Sequence, residues 1–146
     1  MFRTLVAGQI KPLPGLMALL DEADRAKVPM VAMTNAPRLN AEMLLSGLGI
    51  TQRFQAIVIG DELPHGKPHP MPYREGLRLA GAAAHASLAF EDSRSGIQSA
   101  AAAGIATIGM RTTLGHDDLV AAGAITSAKG FDDHELMKLV ATAMGW

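Results

Sequence analysis

The sequence predicts a three-layer α/β/α domain built on a Rossmann-like parallel sheet. Three observations carry this. Short apolar runs alternate with longer segments patterned at helical spacing. The runs lack the polar alternation of a half-exposed strand, so they read as strands buried on both faces. The main runs end in small, polar or charged residues, and in such sheets the ligand sits beyond the carboxyl ends of the strands.

The elements follow in order. The Pro12-Leu13-Pro14-Gly15 cluster breaks whatever precedes it. Leu16, Leu19, Leu20 and Ala23 then recur at helical spacing, which predicts a helix to about Lys27. Residues 28–34 are a buried strand. Pro37 opens a helix whose apolar stripe is Leu39, Met43, Leu44 and Leu48, with Gly49 placed to end it. A second strand covers 56–59, a loop containing Gly and Pro covers 61–68, and Pro70 suits the first turn of a helix to about Ala80. The third strand, 87–90, runs into Glu91-Asp92-Ser93. A helix with an alanine face spans 95–103 and stops at Gly104, and a fourth strand spans 106–110. A helix near 117–122, a short strand near 124–127 and a helix over 132–143 complete the order.

Composition narrows the function classes. Thirteen Lys and Arg face fourteen Asp and Glu. Near-neutrality gives no footprint for nucleic acid or a membrane surface. The chain has no cysteine, which excludes disulfides and thiolate metal sites and fits a cytoplasmic location. Residues 1–3 do not lead into a signal-peptide core, because Gly8, Gln9 and Lys11 interrupt the apolar run.

Three groups lie at strand ends. Thr34 and Asn35 follow the first predicted strand, Lys67 lies in the loop after the second, and Glu91 and Asp92 follow the third. Their chemistry is complementary. A threonine hydroxyl and backbone N–H, an asparagine amide and a lysine ammonium all suit phosphoryl oxygens. Two carboxylates are hard oxygen ligands for Mg²⁺ bridging to phosphate. Taken singly, each group has a plainer reading. Thr34-Asn35 also reads as a capping turn, Lys67 as a solvated charge, and Glu91-Asp92-Ser93 as the cap of the next helix. His65 and His69 flank Lys67 without a third histidine nearby, which reads as loop polarity and not a metal site.

The stretches Val31-Ala32-Met33-Thr34-Asn35, Gly66-Lys67-Pro68-His69-Pro70-Met71-Pro72-Tyr73 and Phe90-Glu91-Asp92-Ser93 with Gly96 resemble the haloacid dehalogenase-like superfamily. The resemblance is to its phosphoglycolate-phosphatase and β-phosphoglucomutase type and runs from about Lys11 onward. It implies roles. Thr34 and Asn35 would bind and orient the phosphoryl group, Lys67 would neutralise it, and Asp92 would hold Mg²⁺ with Glu91 as a direct or water-mediated partner. The implied substrate is a small phosphorylated metabolite, hydrolysed through an aspartyl-phosphate.

The family's first motif, roughly Asp-x-Asp-Gly-Thr on a strand, has no counterpart here: the earliest acids, Asp21, Glu22 and Asp24, fall in a predicted helix. Residues 1–10 therefore read as the remnant of a cap-domain helix, and 11–146 as an N-terminally incomplete core lacking its first strand. On this reading the chain alone is inactive. The gap in the sheet would recruit a complementing N-terminal segment or a second copy of the chain. A non-catalytic phosphate- or partner-binding domain and a sugar-phosphate mutase are the alternatives. A P-loop reading of residues 60–67 fails, because Pro68 stands where Ser or Thr is required.

Overall fold

Among the described residues, six parallel strands form one sheet in the order β3-β2-β1-β4-β5-β6. The strands are β1 (Thr4–Ala7), β2 (Met30–Thr34), β3 (Ala56–Ile59), β4 (Ser87–Glu91), β5 (Ala106–Met110) and β6 (Thr126–Ala128). The helices between and after them are α1 (Leu16–Arg25), α2 (Arg38–Gly47), α3 (Met71–Ala80), α4 (Arg94–Ala102), α5 (His116–Ala122) and α6 (His134–Met144). The computed structural model describes residues 4–7 and 14–146.

Side-chain alternation along each strand sorts the core into two layers. In β4, Leu88 and Phe90 join α1, Leu45 of α2 and α6 in the larger core, which also holds Leu16, Leu19, Leu136 and Val140. Ala89, between them, faces the opposite layer with Tyr73 and Leu77 of α3 and Ala100 of α4. After β3 the chain crosses to the other face and returns as β4 beside β1, so the strand order reverses at the neighbouring pair β1 and β4. This is the crevice at which such sheets take ligands.

Two expectations need correcting. The slot beside β2 is not vacant. Thr4–Ala7 is a strand, not the end of a helix, and it pairs in parallel with both central neighbours: Ala7 sits level with Ala32 on β2 and with Phe90 on β4. A run of four residues is too short for periodicity to separate strand from helix, and the unpaired edges of β2 and β4 supply the backbone partners that decide it. The gap expected to recruit a complementing segment or a second copy is therefore filled. The remainder of the expected cap remnant, residues 1–3 and 8–10, lies outside the described residues.

The second correction concerns α2. Its buried residues are Ala41 and Leu45, while Leu39 and Met43 of the expected stripe are 67% and 65% exposed. The helix carries two apolar faces at helical spacing, and the one containing the small alanine meets the sheet.

Candidate active site

β4 delivers the site by simple alternation. Because Ala89 faces the α3–α4 layer, Glu91 two residues on does too, and its carboxylate is driven beneath those helices. The Glu91 side chain has no exposed surface and Lys67 retains 4% of its own. Their ion pair is 2.5 Å, from Lys67 Nζ to Glu91 Oε1. The Tyr73 hydroxyl donates to the same oxygen at 2.5 Å. Oε2 is buried with no hydrogen-bond partner among the described residues. It lies against Gly96 in the first turn of α4, where a Cβ would fall 2.1 Å from it. Only glycine leaves room for the carboxylate.

Burial raises the Glu91 carboxyl above its ordinary pKa, a push opposed by the charge and hydrogen bond of Lys67 and the hydrogen bond of Tyr73. Burial likewise lifts the Tyr73 phenol well above its usual range, helped by the neighbouring Glu91 charge.

Asp92 turns the other way at the strand end. It is nearly buried, and Thr112, two residues past β5, donates to its Oδ2 at 2.9 Å. Ser93 then caps α4 by accepting from the Gly96 N–H at 3.1 Å. The capping role that the acidic pair could have filled thus belongs to the serine.

At the end of β2, Thr34 Oγ1 accepts from the Ala36 N–H at 3.0 Å, a local turn that fixes the hydroxyl. Asn35 is exposed, and its Oδ1 packs beside Gly60 and Gly66, where Cβ atoms would fall 2.1 and 3.4 Å away. It therefore reaches the loop that carries Lys67, whose bond to Pro68 is cis. Of the expected residues, Lys67 contacts Glu91, Asn35 packs on glycines of the lysine loop, Asp92 follows Glu91 in sequence, and the Thr34 hydrogen bond is local. His65 and His69 stack on each other with ring centroids 4.5 Å apart, and the His69 Nδ1 accepts from the Met71 N–H at 3.0 Å.

Sequence reasoning did not single out Tyr73 or Thr112. The strand-end rule, applied to the strand over 106–110, would have found Thr112. Tyr73 had two signals, its place at the end of the stretch from Gly66 that resembles the family and its position six residues after Lys67 at a helix start. Beside Thr112 opens a cavity of about 760 Å³, lined by Pro14, Arg111, Lys129, Asp132 and Asp133 among others.

The sequence of residues 3–110 matches the family model of haloacid dehalogenase-like hydrolases. The chain belongs to this family. The proteins it resembles within the family include phosphoglycolate phosphatases and structures named after β-phosphoglucomutase. It is 34% identical over 103 residues to a phosphoglycolate phosphatase of Mesorhizobium japonicum, a match covering 70% of this chain and 45% of that protein. A Thermotoga maritima structure named after β-phosphoglucomutase superposes with a TM-score of 0.80 at 29% identity, covering 87% of this chain and 60% of the other. A hydrolase of the same family from Deinococcus radiodurans, solved with bound phosphate and sodium, superposes with a TM-score of 0.81 at 25% identity, covering 90% and 59%. The chain spans about half the length of this phosphoglycolate phosphatase.

The donor set can be tested against the Mg²⁺ that the family implies. No cluster of three His, Cys, Asp or Glu forms among the described residues. Mg²⁺ is usually held by one or two carboxylates completed by phosphate oxygens and water. Asp92, with Glu91 sealed behind it, fits that pattern as the carboxylate at the strand end. No helix among the described residues is long and apolar enough to cross a membrane.

Proposed function

We propose that this chain forms the phosphate- and Mg²⁺-binding part of a phosphatase core acting on small phosphate monoesters of the phosphoglycolate or sugar-phosphate class. The observation that carries the reading is the buried Lys67–Glu91 pair at the sheet's carboxyl edge, bracketed by the Asn35 loop contact and by Asp92. An ammonium held in a low-dielectric pocket is worth more to a phosphoryl group than one in water.

In this reading Thr34 and Asn35 donate to phosphoryl oxygens, and Lys67 compensates their charge while leaning away from Glu91. Asp92 would ligate Mg²⁺ directly and Glu91 through water. When bound, the ion would neutralise charge on the phosphoryl oxygens. The cavity beside Thr112 gives the rest of a small ester room, and Arg111 and Lys129 suit a second anionic group.

Transfer through an aspartyl-phosphate needs a carboxylate at the end of the central strand. None of residues 1–20 is acidic. We therefore expect this chain by itself to bind phosphate without turning esters over. The same absence favours, as second reading, a non-catalytic phosphate-binding domain. The likeness to a structure named after β-phosphoglucomutase keeps a mutase of the same core as a third.

The test is hydrolysis of an aryl phosphate with Mg²⁺ by this chain and by a form in which Asp-x-Asp-Gly-Thr replaces residues 8–12, directly after β1. Turnover by the substituted form alone, abolished by Asp92→Ala, supports the phosphatase reading. Turnover indifferent to both Asp92→Ala and Lys67→Ala would refute it.

A further inference from the structure

Tyr73 meets the Lys67–Glu91 pair in two ways at once. Its hydroxyl donates to Glu91 Oε1, the same oxygen that receives Lys67 Nζ, each at 2.5 Å. Its ring lies under the ammonium, with Nζ 5.7 Å from the centroid. The side chain is wholly buried, on the first turns of α3, just after the loop that carries Lys67. A tyrosine needing only apolar contact would not require its hydroxyl against a sealed carboxylate. Leucine or phenylalanine would fill the same space.

Consider what happens to Glu91 when an anion arrives. Lys67 cannot serve a phosphate fully while it is the sole compensation for a carboxylate sealed from water, because a bare buried carboxylate is costly. A second donor on Oε1 lowers that cost. The ring face beneath the ammonium also attracts it and narrows the positions it can take.

We infer that Tyr73 is the positioning residue of the phosphate site: by holding Glu91 Oε1 and cradling the ammonium, it lets Lys67 be shared with a bound phosphoryl group. This rests on the proposed function, in which Lys67 binds phosphate. It adds a residue that acts on substrate through Lys67 and Glu91 without touching it.

The test exploits composition. Tyr73 is the single tyrosine of the chain. The near-ultraviolet difference spectrum on titration with inorganic phosphate, at fixed Mg²⁺, therefore reports on its hydroxyl alone once the signal from Trp146 is subtracted at longer wavelength. The expected result is a saturable tyrosine difference band in the unmodified chain, with the same Kd as calorimetry gives for phosphate, and no band in Lys67→Met. Tyr73→Phe, which keeps the ring, should weaken phosphate binding roughly tenfold, or about 1.4 kcal/mol.

A merely structural tyrosine would change stability but give no phosphate-dependent spectrum. If Lys67→Met abolishes phosphate binding while the tyrosine spectrum stays silent, the inference is overturned and the phosphate site stands. If phosphate binds equally well to Lys67→Met, or not at all to the unmodified chain, the proposed site falls and the inference with it. Should Tyr73→Phe not fold, the titration of the unmodified chain decides alone.

Discussion

The ends of β2 and β4 both lie at the carboxyl edge of the sheet, yet they are built in opposite ways. β2 ends in neutral groups at an accessible rim: Thr34 is half-buried and Asn35 exposed, and their contacts are local or to loop backbone. β4 ends in two carboxylates in the interior. There the contacts come from fixed side chains and backbone: Lys67 and Tyr73 on Glu91, Gly96 against it, Thr112 on Asp92. Neutral donors can wait at a surface with water as their partner. A carboxylate that must be shielded needs its compensation built in beforehand. The β4 end should therefore couple function to stability, while the β2 end should separate them.

Lys67→Ala should show this coupling most strongly. It leaves Glu91 sealed without its cation, a loss of about 3–5 kcal/mol for a broken buried pair. The loss should depend on pH, with a sign that follows from linkage. Burial already raises the Glu91 carboxyl, and removing the opposing lysine raises it further. A group whose folded-state pKa exceeds its unfolded value holds its proton longer in the native state. Stability is then lost as pH rises through the folded-state pKa. Urea midpoints should show the variant closest to the unmodified protein near about pH 5 and furthest from it near about pH 8. An equal deficit at both would mean that Glu91 carries no titrating charge.

Gly96→Ala comes next, at about 1–3 kcal/mol for overpacking against a walled-in group. Its Cβ would lie 2.2 Å from the Glu91 carboxyl carbon as well as 2.1 Å from Oε2. Adding Glu91→Ala should relieve most of that penalty, so the double mutant should be far from additive. Additive penalties would place the strain somewhere other than the carboxylate.

The same contrast governs how much could be read from the sequence. The strands over 56–59 and 106–110 have the expected bounds, because buried parallel strands are continuous apolar runs flanked by breakers. The strand-end rule singled out Thr34, Asn35, Lys67, Glu91 and Asp92, since it needs only the strand positions. It could not find Tyr73, which reaches Glu91 from a helix on another layer. Nor could pattern alone choose between the two apolar faces of α2, where Ala41 and Leu45 turned inward and Leu39 and Met43 outward. β1 was missed for a related reason: what makes it a strand is the pair of edges waiting on β2 and β4, a property of the fold and not of four residues.

Smaller effects sharpen the comparison from either side. Thr112→Val removes a hydrogen bond to a nearly buried carboxylate and should cost roughly 1.5 kcal/mol. It should also weaken Mg²⁺-dependent phosphate binding, since Asp92 loses its anchor. Calorimetry with and without Mg²⁺ would show the deficit only when the ion is present.

Asn35→Ala is the opposite case. The side chain is exposed and its removal orphans no buried group, so the unfolding free energy should move by less than about 0.5 kcal/mol. Phosphate affinity should nevertheless drop several-fold, with or without Mg²⁺, because a donor to the phosphoryl oxygens is gone. Thermal melts beside phosphate titrations separate the two quantities. If Asn35→Ala instead destabilises the fold as much as Thr112→Val does, its contact with Gly60 and Gly66 is what holds the lysine loop. The two strand ends would then be alike in requiring built-in support, and the division between a rim that only binds and an interior that also stabilises would not hold.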